Sequence, residues 1–411
     1  MKKVNVVRVG GCVERWLDAN RICDYLVKND YKIVEKPDES DIILLVTCAV
    51  FNDVVEYTFK TIEKYQKYNA KLVIGGCLPD IEKERLAKIF DGETLPTKEI
   101  DKKIEDVFPP QKNVKYSKID DSNIPLQYEI VQKEIERKEK KSMIKDYLIT
   151  KIFGNKSISY KYFTEKGSLY HIRVSWGCIG NCSFCATKKA VGPHISKPLD
   201  VCIKEFKDGL KQGYKDFIIC SDDPGAYGID INTSFTNLLD EMTKIPGDYK
   251  IMITGFSPGM IVKHTDKLID VLKRGKITAI LSPVQSGSDK VLKLMNRYSD
   301  SEKVKESILK LKKAFPDLII ESQFIVGFPG ESWKNFEDTL KFIVECNFYS
   351  GHIYKFSCRS GTEAENIEPK ITEEEISKRI KYTKKYLKKA GYKMSHFTLG
   401  ITKGMYIFHL D

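Results

Sequence analysis

Apolar positions in the first part of the chain fall into short, nearly unbroken runs: Val4-Asn5-Val6-Val7-Arg8-Val9, Ile42-Ile43-Leu44-Leu45-Val46 and Leu72-Val73-Ile74. Each run is followed by apolar residues at helical spacing, through Trp16, Ile22 and Leu26, from Val54 to Tyr65, and from about Asp80. Strands apolar on both faces and separated by helices predict a parallel sheet covered on both sides. Residues 1–95 therefore read as a doubly wound α/β domain. Residues 96–168 change character. They are charged, carry Pro96, Pro109-Pro110 and Pro125, and place Leu126, Ile130, Ile135, Ile144 and Leu148 along one side of a broken helix. That pattern predicts a charged linker or insertion.

From residue 169 to 365, six strand-like runs alternate with helical segments, near His171–Ser175, Asp216–Cys220, Lys250–Thr254, Ile277–Leu281, Leu318–Val326 and His352–Ser357. Repeated β-α units imply parallel strands with right-handed crossovers. Six units are too few to close an eight-stranded barrel, so the expected form is an open, partial (β/α)6 barrel. In residues 366–411, Thr372 and Glu375 form a capping box for a helix with Ile376, Ile380 and Leu387 on one face. Lys378, Arg379, Lys381, Lys384, Lys385, Lys388 and Lys389 crowd the rest of that helix, and a short tail follows Gly391.

Composition narrows the class. The 411 residues suggest two or three domains, and 42% hydrophobic with 30% charged content is that of a globular protein. With no apolar run long enough to cross a bilayer and no signal-peptide core after Met1, the expected location is cytoplasmic. Eleven cysteines in such a chain point to metal or redox chemistry rather than disulfides. The net charge of +11 is compatible with a polyanionic partner. The basic C-terminal helix could contact phosphates, although a solvated face is the plainer reading.

Cys178, Cys182 and Cys185 stand in a C-x3-C-x2-C spacing directly after the first strand of the barrel. Three thiolates on one loop can hold three corners of a [4Fe–4S] cube and leave one iron open. Zinc is the alternative, but zinc sites favour C-x2-C pairs and need a fourth ligand, and no His or Cys follows at a matching distance. Three further cysteines, Cys12, Cys48 and Cys77, each lie just beyond a predicted strand of the first domain. In a parallel sheet the strand carboxyl ends share one edge, so the topology would gather thiols that the spacing scatters. Small buried hydrophobes are the competing reading. Cys23, Cys202, Cys220, Cys346 and Cys358 read as packing residues.

These features together resemble the radical S-adenosylmethionine (SAM) methylthiotransferases. The matching stretches are Gly11-Cys12 with Asp18 six residues on, Thr47-Cys48-Ala49, Gly75-Gly76-Cys77, Pro283-Val284-Gln285-Ser286-Gly287-Ser288, Val326-Gly327-Phe328-Pro329-Gly330-Glu331 and Arg359-Ser360-Gly361-Thr362. Arg15 and Val46 depart from that pattern, standing where the family usually has asparagine. The resemblance implies two [4Fe–4S] clusters and SAM as cofactors. Cys178, Cys182 and Cys185 would then be catalytic, binding the cluster that cleaves SAM, and Cys12, Cys48 and Cys77 would carry an auxiliary cluster. Asp222 and Asp223 would meet the SAM amino group, and Gln285 and Ser286 its ribose or carboxylate.

The implied reaction replaces C–H by C–S–CH3, at C2 of N6-threonylcarbamoyladenosine in tRNA or, alternatively, at a protein or peptide β-carbon. A non-enzymatic iron–sulfur protein is the remote alternative. Implied partners are tRNA or a protein substrate, a low-potential donor such as flavodoxin or ferredoxin, and the iron–sulfur assembly machinery. No membrane partner is expected. The family normally continues into a small TRAM β-barrel, most of which is expected to be missing here.

Overall fold

The computed structural model describes residues 1–10, 12–121, 123, 169–399 and 402–410. The chain divides into two compact units, Met1–Ile149 with Ala186–Gly192, and Thr150–Cys185 with Pro193–Asp411.

In the first unit, β1 (Lys3–Val9), β2 (Lys32–Ile33), β3 (Ile42–Thr47), β4 (Lys71–Gly76) and β5 (Thr94–Pro96) form one sheet in the order β2-β1-β3-β4-β5. All of its pairings are parallel. Every residue of β3 is buried, as the unbroken apolar run requires of a central strand with helices on both faces. The domain does not stop at residue 95. Helix Ile100–Val107 and the segment after it put Ile104, Phe108, Tyr116 and Ile119 into the core beside Tyr25 and Leu26. Polar ties fix this return: Tyr25 donates to the Phe108 carbonyl at 2.7 Å, Asn29 to Val114 at 2.9 Å and Arg21 to Ile119 at 2.8 Å. The linker expected from residue 96 is thus corrected up to about residue 120, because these apolar residues complete the core over the first helix. The broken helix expected around Leu126 to Leu148 lies outside the described residues.

The second unit is built on six parallel strands, β6 (Leu169–Arg173), β9 (Asp216–Cys220), β10 (Lys250–Ile253), β11 (Ile277–Gln285), β12 (Ile319–Val326) and β13 (Ser350–Lys355). A two-residue pair, β7 (Ser175–Trp176) and β8 (Ile195–Ser196), lies apart from this sheet. The six runs predicted from the sequence are the six strands found, in an open sheet with helices between them.

The C-terminal tail differs from expectation. β14 (Tyr392–Leu399) and β15 (Thr402–Leu410) form an antiparallel hairpin, and β15 pairs with β13, so the sheet continues β13-β15-β14. Tyr392, Met394 and Phe408 alternate into the barrel core. Gly351 on β13 makes room for this: a Cβ there would stand 2.6 Å from the Phe408 ring and from the Ser322 carbonyl.

Helix Glu373–Lys389 is equally part of the core. Ile376 packs where a Cβ on Gly327 would lie 2.4 Å away. Arg379, expected on the cationic face, is instead buried and paired with Glu331, which also accepts from the Gly327 N–H at 2.8 Å. Burial within the sheet lowers both His171 and His352 to about 4. They fold neutral, while the unfolded chain takes up protons below about pH 6.5, so stability is full above that pH and is lost as pH falls toward 4. Urea midpoints of the metal-free protein should drop across that window. His352→Gln should remove part of the slope, at most about 3 kcal/mol for a group shifted this far. A midpoint unchanged between about pH 7 and pH 5 would contradict neutral burial.

Candidate functional site

The register of the first sheet decides where its thiols stand. Val9 pairs with Thr47 and Thr47 with Gly76, so β1, β3 and β4 end level. Cys48 and Cys77 follow at once, donating their N–H groups to Val9 at 3.1 Å and Thr47 at 2.9 Å respectively. The Thr47 hydroxyl donates to the Gly75 carbonyl and accepts from the Leu78 N–H at 3.3 Å. Gly76 has φ +90°, and a Cβ there would lie 2.2 Å from the Thr47 carbonyl oxygen. The glycine is therefore demanded by the close approach of two backbones.

Cys12 caps the next helix and is exposed, whereas Cys48 and Cys77 are buried. Loss of solvent pushes the Cys48 thiol up to about 12, with Cys77 adding to it. Cys12 is raised as well, first by desolvation on its protein side, then by Glu14, and also by Cys48 and Cys77. The three groups thus act on one another across the strand ends. Arg15 enters from the helix after Cys12 and donates from Nη1 to the Cys77 sulfur at 3.4 Å.

In the second unit the C-x3-C-x2-C loop leaves the carboxyl end of β6 and is pinned from several strand ends. The Ser175 hydroxyl meets that of Ser221 at 3.0 Å, and the Gly177 N–H donates to Asp222 Oδ2 at 3.0 Å. Cys178 Sγ stands 3.7 Å from Asp223 Oδ2 and accepts from the Gly180 N–H at 3.1 Å. Arg297 donates to Cys182 Sγ at 3.3 Å and to the Pro283 carbonyl. Ser183 donates through Oγ to Leu294 at 2.7 Å, while Phe184 sets its ring edge-on to Phe328 at 6.2 Å. A Cβ on Gly180 would lie 3.2 Å from the Cys178 sulfur and 3.8 Å from that of Cys182, so both thiols border one small space.

Among the described residues, Asp223 Oδ1 and Gln285 Oε1 near this loop have no hydrogen-bond partner. Gln285 ends β11 with φ +76°, where the register of the β11–β12 pair shifts. A non-glycine residue held there costs about 1–3 kcal/mol, a strain that clusters at functional sites. Burial raises the Asp223 carboxyl, with His194 and Arg297 among the groups opposing it.

Ser286 is different. It is fully buried, sharing a hydrogen bond with Thr339 Oγ1 at 3.0 Å and accepting from the Ser288 N–H at 3.2 Å. Its hydroxyl is engaged by Thr339 and the Ser288 N–H and so braces the loop from inside. Cys23, Cys202, Cys220 and Cys346 are buried as packing residues should be, but Cys358 is exposed. Arg297 and Ser183 were not legible as site residues, since a lone Arg or Ser in a loop carries no spacing signal.

Each unit therefore presents three thiols, a donor set suited to an iron–sulfur cluster with one iron left for another ligand. N–H donors from Arg15, Gly180 and Arg297 already face sulfur, as metal-bound thiolates require. The raised thiols hold their protons near neutrality, so loading must release protons. Among the described residues no three His, Cys, Asp or Glu groups converge on a single ion. Gly76→Ala should lower stability by more than about 2 kcal/mol in urea denaturation, through strain plus the clash with Thr47. An unchanged midpoint would show that the strand ends are not held as described.

Residues 172–343 match the family model described as the Radical SAM superfamily, and residues 3–95 match the model described as Uncharacterized protein family UPF0004. A probable threonylcarbamoyladenosine tRNA methylthiotransferase of Pyrococcus horikoshii is 28% identical over 359 residues, covering 86% of this chain and 77% of that protein. The ribosomal protein uS12 methylthiotransferase RimO of Thermotoga maritima is also 28% identical, over 91% of this chain and 80% of its own length. Among solved structures, the radical S-adenosylmethionine methyltransferase TsrM from Kitasatospora setae shares the fold at a TM-score of 0.59 and 12% identity, over 86% of this chain and 73% of that one. No helix among the described residues is long and apolar enough to cross a membrane. The cofactors of such enzymes are SAM and [4Fe–4S] clusters, two in the methylthiotransferases. With both models in succession along the chain and relatives named methylthiotransferases aligned over most of it, the chain belongs to the radical SAM methylthiotransferase family.

Proposed function

We propose that this enzyme methylthiolates C2 of N6-threonylcarbamoyladenosine in tRNA. In this reading Cys178, Cys182 and Cys185 hold the cluster that binds SAM, and Cys12, Cys48 and Cys77 hold the auxiliary cluster. Residues 1–95 with their extension form the auxiliary domain, and residues 169–365 the radical domain. The observation that carries the reading is the level ending of β1, β3 and β4, which supports a second thiol triad where the barrel loop already supplies one. When bound, the clusters and SAM supply the electron, the radical and the methyl-bearing sulfur, which no side chain of this chain could provide.

The side chains have simpler tasks. Asp222 and Ser175 hold the cysteine loop at the end of β6. Asp223 Oδ1 is left to accept from an ammonium such as that of SAM, and Gln285 Oε1 from a hydroxyl or amine. Arg297 steadies Cys182 against the Pro283 carbonyl near the end of β11. Lys381, Lys384, Lys385, Lys388 and Lys389 are exposed along one helix, a surface suited to phosphodiester contacts that position a nucleic acid without reading its sequence. A low-potential flavodoxin or ferredoxin, the cluster-assembly machinery and a cytoplasmic setting complete the proposal. Methylthiolation of a protein β-carbon is the second reading, favoured by the equal identity to the ribosomal-protein enzyme.

The substrate is decided by mass spectrometry of tRNA nucleosides and ribosomal peptides from a strain lacking the gene. The expected result is loss of 2-methylthio-N6-threonylcarbamoyladenosine with accumulation of its unthiolated precursor. Unchanged nucleosides would overturn the tRNA reading, and loss of a methylthio-peptide instead would select the second. With reductant and SAM, the purified enzyme should release 5′-deoxyadenosine, and Cys182→Ala should abolish that release. Release persisting in the variant would contradict the assignment of the barrel loop.

A further inference from the structure

Arg15 is a buried charge that the proposed reaction leaves unexplained. Its side chain is 2% exposed and that of its ion-pair partner Asp18 is 5% exposed, with Arg15 Nε 3.0 Å from Asp18 Oδ2. Two charges withdrawn from water are costly, and replacing such a pair by apolar residues is often neutral or stabilising. Stability alone is thus a weak reason for this one. The pair is also aimed: Asp18 sits at the Nε side of the guanidinium, while Nη1 points to the Cys77 sulfur at 3.4 Å. One fixed, buried cation therefore donates directly to a sulfur of the first unit.

We propose that Arg15 is a positioning residue that sets the reduction potential of the cluster held by Cys12, Cys48 and Cys77, with Asp18 tempering it as the counter-charge. The inference rests on the auxiliary-cluster reading. On reduction by a low-potential one-electron donor, the cluster takes up one electron with no bond made or broken, and the assembly gains one negative charge. A guanidinium donating to sulfur stabilises that more negative state and raises the potential, because hydrogen bonds to the sulfurs and net charge are principal determinants of cluster potential. The opposite sign is expected of Asp18, whose carboxylate disfavours the added electron.

The test is a dithionite titration, followed by electron paramagnetic resonance, of full-length reconstituted protein in which Cys178, Cys182 and Cys185 are all Ala. That background should retain about four irons, one cluster. Arg15→Gln combined with Asp18→Asn avoids a buried unpaired carboxylate and should shift the midpoint to more negative values. Arg15→Lys should restore part of the shift, and Asp18→Asn alone should move the midpoint the other way. Unchanged midpoints at full iron loading overturn the role of Arg15 and leave the cluster reading intact. Loss of iron from every Arg15 variant, Lys included, also overturns it, in favour of a purely structural role. A background protein that binds no iron overturns both.

Discussion

Thr47 and Gly76 set the constraint on which the N-terminal site depends. Backbone meets backbone so closely there that only hydrogen can stand at the Gly76 α-carbon, and the Thr47 hydroxyl bridges a carbonyl of β4 and the N–H of Leu78. This locks β3 to β4 in a register that makes Cys48 and Cys77 leave the sheet level with the end of β1. In parallel α/β sheets of the order β2-β1-β3-β4-β5, ligand crevices lie at the carboxyl ends beside β1 and β3, where the winding reverses. The thiols occupy that edge, so no local cysteine spacing is needed. In the proposed reading the topology gathers the donor set.

The barrel solves the same problem by a different route. Its proposed donors lie on one loop, and the work goes into holding that loop still. Asp222 and Arg297 reach it from distant places in the sequence, its own Ser183 ties it to Leu294, and Phe184 locks its far end onto Phe328. Phe328 belongs to the turn closed by Glu331, which is in turn clamped by Arg379 on the C-terminal helix. A chain of contacts therefore runs from that helix to the cysteines. The last strands extend the same sheet, so the C-terminal segment is part of the scaffold that steadies the loop.

Much of this was legible in the sequence. Apolar runs and strand-end cysteines marked the first sheet, and six β-α repeats marked the barrel, because both signals are periodic. What was missed has no period. Arg297 and Ser183 act through contacts more than 100 residues away in sequence. Ser286 sits in a recognisable motif, yet its hydroxyl turns inward to Thr339. Arg379 looks like one more surface cation until Gly327 allows its helix close to the sheet. The hairpin of β14 and β15 alternates apolar and polar residues only weakly, and its place is set by Gly351 making room for Phe408.

The central claim is that each unit carries its own cluster. Its most direct measurement is the iron and acid-labile sulfide content, with Mössbauer spectra, of anaerobically reconstituted full-length protein and of two triple variants. About eight irons are expected in the parent and about four when either Cys12/Cys48/Cys77 or Cys178/Cys182/Cys185 are replaced by Ala. Full iron content after replacing the first triad, with the second intact, would contradict it.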